Sequence, residues 1–69
     1  MKRTQVNSSN LKSVTHDSTS NNLDIEFHSG DTYRYFNVPE AEYYNLINAT
    51  SVGKYHAAYI KNSYRFEKL

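Results

Sequence analysis

Leu23-Asp24-Ile25-Glu26-Phe27-His28, with Ser29-Gly30-Asp31 and Thr32-Tyr33-Arg34-Tyr35-Phe36 behind it, decides the fold. In the first segment apolar and polar residues alternate. A period of two puts Leu23, Ile25 and Phe27 on one face of a strand and Asp24, Glu26 and His28 on the other. Ser29-Gly30-Asp31 closes a hairpin in which Gly30 supplies the positive φ such a loop requires. The return strand is aromatic and β-prone, with Tyr33 and Tyr35 on one face and Arg34 and Phe36 on the other. Because each of its faces carries an aromatic, its outer face is expected to be partly covered.

Upstream, Asp17 to Asn22 is a run of Asp, Ser, Thr and Asn, whose side chains bond back to nearby backbone and make a turn. Leu11 to Asp17 reads as an earlier strand. Leu11 and Val14 lie three apart, so both reach the core only through a bulge or an entry turn. Residues 1–10 are polar and expected to be loosely held. Downstream, Val38-Pro39 ends the aromatic strand. Proline cannot donate to a ladder, but its φ suits the first turn of a helix, where Glu40 and Glu42 also meet the positive end of the dipole.

Tyr43, Leu46, Ile47 and Thr50 recur at i, i+3, i+4 and i+7 as one buried stripe. Ser51 then caps a second helix whose buried stripe is Val52, Tyr55, Tyr59 and Ile60, with Lys54, Ala58, Lys61 and Arg65 as a separate positive one. Tyr64 to Leu69 frays or adds a short edge strand. The expected fold is α+β: a three-stranded antiparallel meander (11–17, 22–28 and 32–37) followed by two helices (39–49 and 52–63) packed on one face.

A chain of 69 residues without cysteine is a single domain, residues 1–69, and a second domain is excluded. A core this small is usually reinforced by disulfides or metal, so seven Tyr and three Phe must carry much of the buried area. The net charge of +1 argues against nonspecific binding to duplex DNA. Its distribution is uneven: +2 over residues 1–20, −4 over 21–42 and +3 over 43–69. No apolar stretch follows the charged start and none approaches membrane-spanning length, so the expected setting is the cytoplasm, with no membrane partner.

The most informative group for chemistry is Thr50-Ser51-Val52-Gly53-Lys54-Tyr55. Free amides and the helix dipole favour an anion at a helix start; Gly53 permits close approach, and Ser51 and Lys54 add a hydroxyl and a charge. The alternative is that Ser51 only caps the helix and Gly53 only lets it pack closely. A P-loop is excluded by its missing glycine spacing. Lys61 and Arg65 extend the positive stripe, and Tyr55 beside them offers a ring on which a base could stack; the competing reading is an ordinary solvated helix face. Tyr33, Tyr35, Phe36 and Tyr43 form a candidate interface for a homo-oligomer or another partner, since tyrosine suits contacts that are apolar at one end and wet at the other.

Catalysis finds little support. His16-Asp17-Ser18 has the residue types of a hydrolytic triad, but strand neighbours point to opposite faces and cannot contact one another as that mechanism needs. His28 and Asp31, with Asp24 or Glu26, do not make up a defined ligand set, so neither a metal nor any other cofactor is expected.

The residues read so far also form a recognisable set: Val6 with Ser8-Ser9, Leu11 and Val14, Leu23 to Phe27, Gly30, Tyr33-Arg34-Tyr35, Val38-Pro39, Tyr43 with Leu46, Ala49, Ser51 to Tyr55, Ile60 and Tyr64. Their spacing resembles the KTSC domain, a short module known as a stand-alone bacterial or phage-type protein and as an extension at the C-terminus of some lysyl-tRNA synthetases. The sequence departs from that family at His16, where it often shows an aromatic, at His56, where it commonly shows Phe, and at Ala57, where it commonly shows Asn. The resemblance implies a small α+β domain with no assigned catalytic chemistry, and the synthetase fusions point toward RNA. The function expected is therefore noncatalytic: binding of a phosphate-bearing nucleotide or short single-stranded RNA through Ser51, Gly53, Lys54, Tyr55, Lys61 and Arg65, with sequestration as one role it could serve. The competing expectation is a protein-interaction or self-assembly module with no nucleotide ligand.

Overall fold

The computed structural model describes residues 1–69. One sheet runs through the molecule in the order β1 (Lys2–Gln5), β2 (Leu11–Asp17), β3 (Asn22–Phe27), β4 (Thr32–Tyr35) and β5 (Phe66–Lys68), each pair antiparallel. Between β4 and β5 lie α1 (Glu40–Ile47) and α2 (Val52–Tyr55), and α2 continues directly into a π-helical turn, His56–Ile60. The three-stranded meander is thus corrected to five strands, although the expected three form its centre and the α+β class stands.

Each added strand has a physical reason for escaping notice. Lys2-Arg3-Thr4-Gln5 has no apolar alternation, yet it pairs with β2 over four positions and is pinned by side chains. Thr4 Oγ1 lies 2.6 Å from the Tyr43 hydroxyl, and Lys2 Nζ donates to Glu40 (2.7 Å) and to the Tyr44 hydroxyl (2.8 Å). Those contacts hold the Lys2 ammonium above its usual range, with the Glu40 bond first, and Glu40 correspondingly below its own. Residues 2–5 are therefore an edge strand and not a loose tail. At the other edge β5 is only three residues long, and its Phe66 ring lies over Tyr35 and Tyr33 at centroid distances of 5.4 and 5.7 Å.

The register divides the sheet cleanly. Val14 pairs with Ile25 and Ile25 with Tyr33, while His16 pairs with Leu23 and Leu23 with Tyr35, so these side chains share the helix-covered face. Arg3, Thr15, Asp24, Arg34 and Glu67 align on the opposite face. There Arg34 grips Asp24 through two bonds of 2.8 and 2.9 Å, which raises the Arg34 pKa. This outer face is polar and no helix of the chain covers it; Phe36 there has the Arg65 guanidinium 5.4 Å from its ring. The bulge expected near Leu11 is present as a register shift between Leu11 and Ser13, and it lets both Leu11 and Val14 enter the core.

The helical layer departs from a 3.6-residue period. Val52, His56 and Ile60 are buried, at a constant spacing of four, whereas Tyr55 is half-buried and Tyr59 is 58% exposed. The Lys61 amide donates to the His56 carbonyl, five residues back, at 2.9 Å. The second helix is therefore present but α-helical only over Val52–Tyr55; the wider π turn rotates the face beyond it, and helical structure ends at Ile60 and not at residue 63. Tyr43 and Leu46 of α1 meet β2 residues across a core that also holds Leu23, Ile25, Tyr35 and Val38.

Removing residues 1–5 should lower the melting temperature by more than about 5 °C, the shift that roughly 1 kcal/mol produces in a domain of this size. Thermal denaturation followed by circular dichroism measures it; an unstructured tail could be removed with no shift.

Candidate functional site

The largest hollow opens where three segments converge: the bend at Ser9-Asn10, the β3–β4 hairpin, and the π turn with Lys61. Its volume is about 590 Å³. Phe27, Tyr33, Tyr35 and Phe66 contribute aromatic lining, while Asn10, His28, Asp31 and Lys61 contribute polar groups. Aromatic walls with a few convergent polar groups are common in small-ligand sites, and six of the fourteen residues lining this cleft are hydrophobic.

Each wall has a local cause. The Ser8 hydroxyl accepts from the amides of Asn10 and Leu11 (3.2 and 3.3 Å), which bends the chain into β2. His28 Nε2 lies 3.0 Å from the Ser8 carbonyl and its backbone amide donates to the Asn10 carbonyl at the same distance, tying the hairpin to that bend. Gly30, at φ 98°, adopts the left-handed geometry the hairpin needs. On the far side the Tyr35 hydroxyl meets His56 Nε2 at 2.8 Å, and Phe27 stands edge-on to both Tyr33 and His56, 5.6 Å from each ring.

Burial is the main reason the His56 pKa is lowered, with Lys61 second, and burial likewise raises Tyr35. Both groups are neutral at neutral pH, as a buried hydroxyl–imidazole bond requires.

A second hollow of about 410 Å³ lies against the first, between residues 7–10 and the Thr50 to Lys54 turn. The two share Ser9, Asn10, Gly53 and Ala57. They adjoin at Gly53, where the gap is narrow: an added Cβ would stand 3.5 Å from Ser8 Oγ and 3.7 Å from Asn10 Nδ2. Ser51, as N-cap, accepts from the Lys54 amide at 3.3 Å, and the Tyr55 amide goes to the Ser51 carbonyl. The cap is therefore filled by the protein itself, and it is the amides of Val52 and Gly53 that have no protein partner.

Of the six candidate ligand residues, Ser51, Gly53, Lys54 and Lys61 line this groove. Tyr55 and Arg65 do not. The Tyr55 hydroxyl donates to Glu42 on α1, which raises its pKa, and its ring lies 4.7 Å from that of Tyr59. Arg65 lies beyond the π turn, over Phe36, because the turn breaks the period that would have aligned it with Lys61.

Among the candidate interface residues, Tyr35 and Tyr43 are each only 2% exposed, their rings and hydroxyls taken up by His56 and by Thr4 and His16. Tyr33 and Phe36 keep partial exposure. His16 is fully buried with Nε2 2.7 Å from the Val38 carbonyl, a structural histidine remote from any nucleophile. His28 and Asp31, first weighed as metal ligands, line the cleft, but no group of three His, Asp or Glu side chains is placed to hold a metal ion. Phe66 and Asn10 were missed as lining residues because they come from opposite ends of the chain and only the sheet brings them together.

A single sheet half-wrapped by short helices defines a small α+β domain. The KTSC domain family matches residues 7–64, and the chain belongs to that family. It is similar to a KTSC domain protein of Yersinia pestis known from its crystal structure, with a TM-score of 0.93 and 32% identity over 99% of this chain and 96% of that one. An uncharacterized protein of Stutzerimonas stutzeri is 36% identical over 100% of this chain and 99% of its own length. The lysine–tRNA ligase of Trichormus variabilis is 39% identical over 86% of this chain, and that of Nostoc punctiforme 38%. The chain matches only 10% of the length of each ligase. No helix is long and apolar enough to cross a membrane.

The lowered His56 pKa has a consequence for stability. An unfolded histidine takes its proton near pH ~6.5, whereas folded His56 does so only at lower pH. Between those values the unfolded chain binds more protons, so stability falls as pH drops below about 6.5 and this contribution levels off below the folded pKa. Melting curves from pH ~7.5 to ~5 should show that decline, and His56→Gln should flatten it.

Proposed function

We propose that this KTSC domain is a noncatalytic binding domain for a phosphate-bearing nucleotide, free or at the end of a short single-stranded RNA. The observation that carries the reading is the pair of adjoining hollows: one with aromatic lining and, beyond Gly53, one lined by Ser51 and Lys54 at a helix start where two amides have no protein partner. Aromatic rings suit the flat base, and amides with an ammonium suit the phosphate. Similarity to a stretch of two lysine–tRNA ligases is consistent with an RNA end as one form of the ligand. Storage or sequestration, in the cytoplasm, is the role such a domain would serve alone.

Titration with the four nucleoside monophosphates and a short RNA, read by calorimetry and thermal shift, tests this. At least one nucleotide should bind and raise the melting temperature, as any ligand of the folded state does. Lys54→Ala should weaken binding roughly tenfold while leaving the free protein's melting temperature unchanged, and added salt should weaken it too. Absence of binding to every nucleotide and to RNA would sink the proposal.

A second reading is favoured by one observation: Tyr59 and Phe66, with exposures of 58% and 48%, put large apolar area in water. An interaction or self-assembly module would use them. Light scattering should then give an apparent mass above 8.0 kDa that falls in Tyr59→Ser and resists salt; a monomer in both proteins removes self-association.

A further inference from the structure

We propose that the cleft selects guanine, with Asp31 and Lys61 reading the edge of the base. This deepens the nucleotide reading and rests on it.

Asp31, on the hairpin, and Lys61, after the π turn, both line the aromatic cleft. A carboxylate only accepts hydrogen bonds and an ammonium only donates them. His28 stands on the same hairpin, its Nε2 3.0 Å from the Ser8 carbonyl. Asp31 and Lys61 thus give the cleft one charged acceptor and one charged donor, beside the neutral polar groups of Asn10 and Ser29.

Among the bases guanine meets that pattern best. Its N1–H and N2–H₂ donate side by side, and O6 and N7 accept, the atoms that lysine characteristically contacts. Adenine would turn the N1 lone pair toward the carboxylate. Cytosine offers it one amino group, and uracil one ring N–H between two carbonyls.

Asp31 is free enough to take this part. Its contacts with Lys68 Nζ and Ser29 Oγ are both long, 3.4 Å, and the Lys68 pair is exposed, so little is lost in loosening it, while a carboxylate has lone pairs beyond those two contacts. With the base edge on Asp31 and its face against the aromatic lining, the groove leaves the phosphate the route over Gly53 toward Lys54.

The experiment compares GMP with AMP, CMP and UMP by calorimetric titration, on the wild-type chain and on Asp31→Asn, with guanosine and adenosine as phosphate-free controls. GMP should bind roughly tenfold or more tightly than AMP, the discrimination of one good bidentate contact. Asp31→Asn should shrink or reverse that ratio, because an amide keeps one acceptor and cannot take both guanine donors, while its oxygen and NH₂ together can pair with adenine, and the unliganded melting temperature should stay put. Guanosine should keep its lead over adenosine at lower affinity. Equal binding of all four nucleotides would overturn the guanine assignment and leave the nucleotide reading standing, whereas binding of none would remove both. A GMP preference that survives in Asp31→Asn would overturn the role of Asp31.

Discussion

The hydrogen bond between the Tyr35 hydroxyl and His56 Nε2, 2.8 Å long and inside the protein, ties the sheet to the helical layer. It is the point on which the groove depends. Tyr35 is the last residue of β4 and His56 the first of the π turn, so the bond sets how far the turn stands from the strands. Burial drives the two pKa values apart, the phenol up and the imidazole down, and this keeps both partners uncharged where an ion would be costly. Phe66 leans on Tyr35 and Phe27 on His56, so the aromatic wall of the cleft is assembled around this pair.

The π turn starts at the same histidine. The α-helical residues Val52–Tyr55 set the direction of His56, and the wider turn that follows brings Ile60 onto the sheet with it, while Tyr55 bonds Glu42 on α1. π turns inside helices are uncommon and occur disproportionately near functional sites, where an altered period re-aims side chains. Here it puts His56, Ala57 and Lys61 on the cleft together.

These differences explain what the sequence disclosed and what it hid. Leu23 to Phe27 alternates strictly because one face is buried and the other wet, so β3 and its partners were legible, including the bulge that Leu11 and Val14 require. β1 was illegible: its contribution is a backbone ladder plus Thr4 and Lys2 reaching α1, and neither leaves a hydrophobic period. β5 was noted only as an option because three residues cannot display alternation. Both edge strands also fall outside residues 7–64, where the family match lies, so the resemblance could not supply them. The π turn was hidden because His56 at a buried position reads as a polar interruption until its tyrosine partner is known. At the site, Ser51, Gly53, Lys54 and Lys61 were readable from a local turn, whereas Asp31 and Phe66 join them only through strand pairing.

Gly53 and Ala57 show why a groove forms at this seam and not a closed core. Ser8 and Asn10 approach Gly53 closely enough that a Cβ there would stand in ordinary contact, so a larger side chain would wall the two hollows off from each other. Ala57, one helical turn on, lines both hollows. Two small residues four apart thus lower the barrier between an aromatic compartment and a polar one. A core needs the opposite, since voids along a packed seam forfeit dispersion contacts and cost stability.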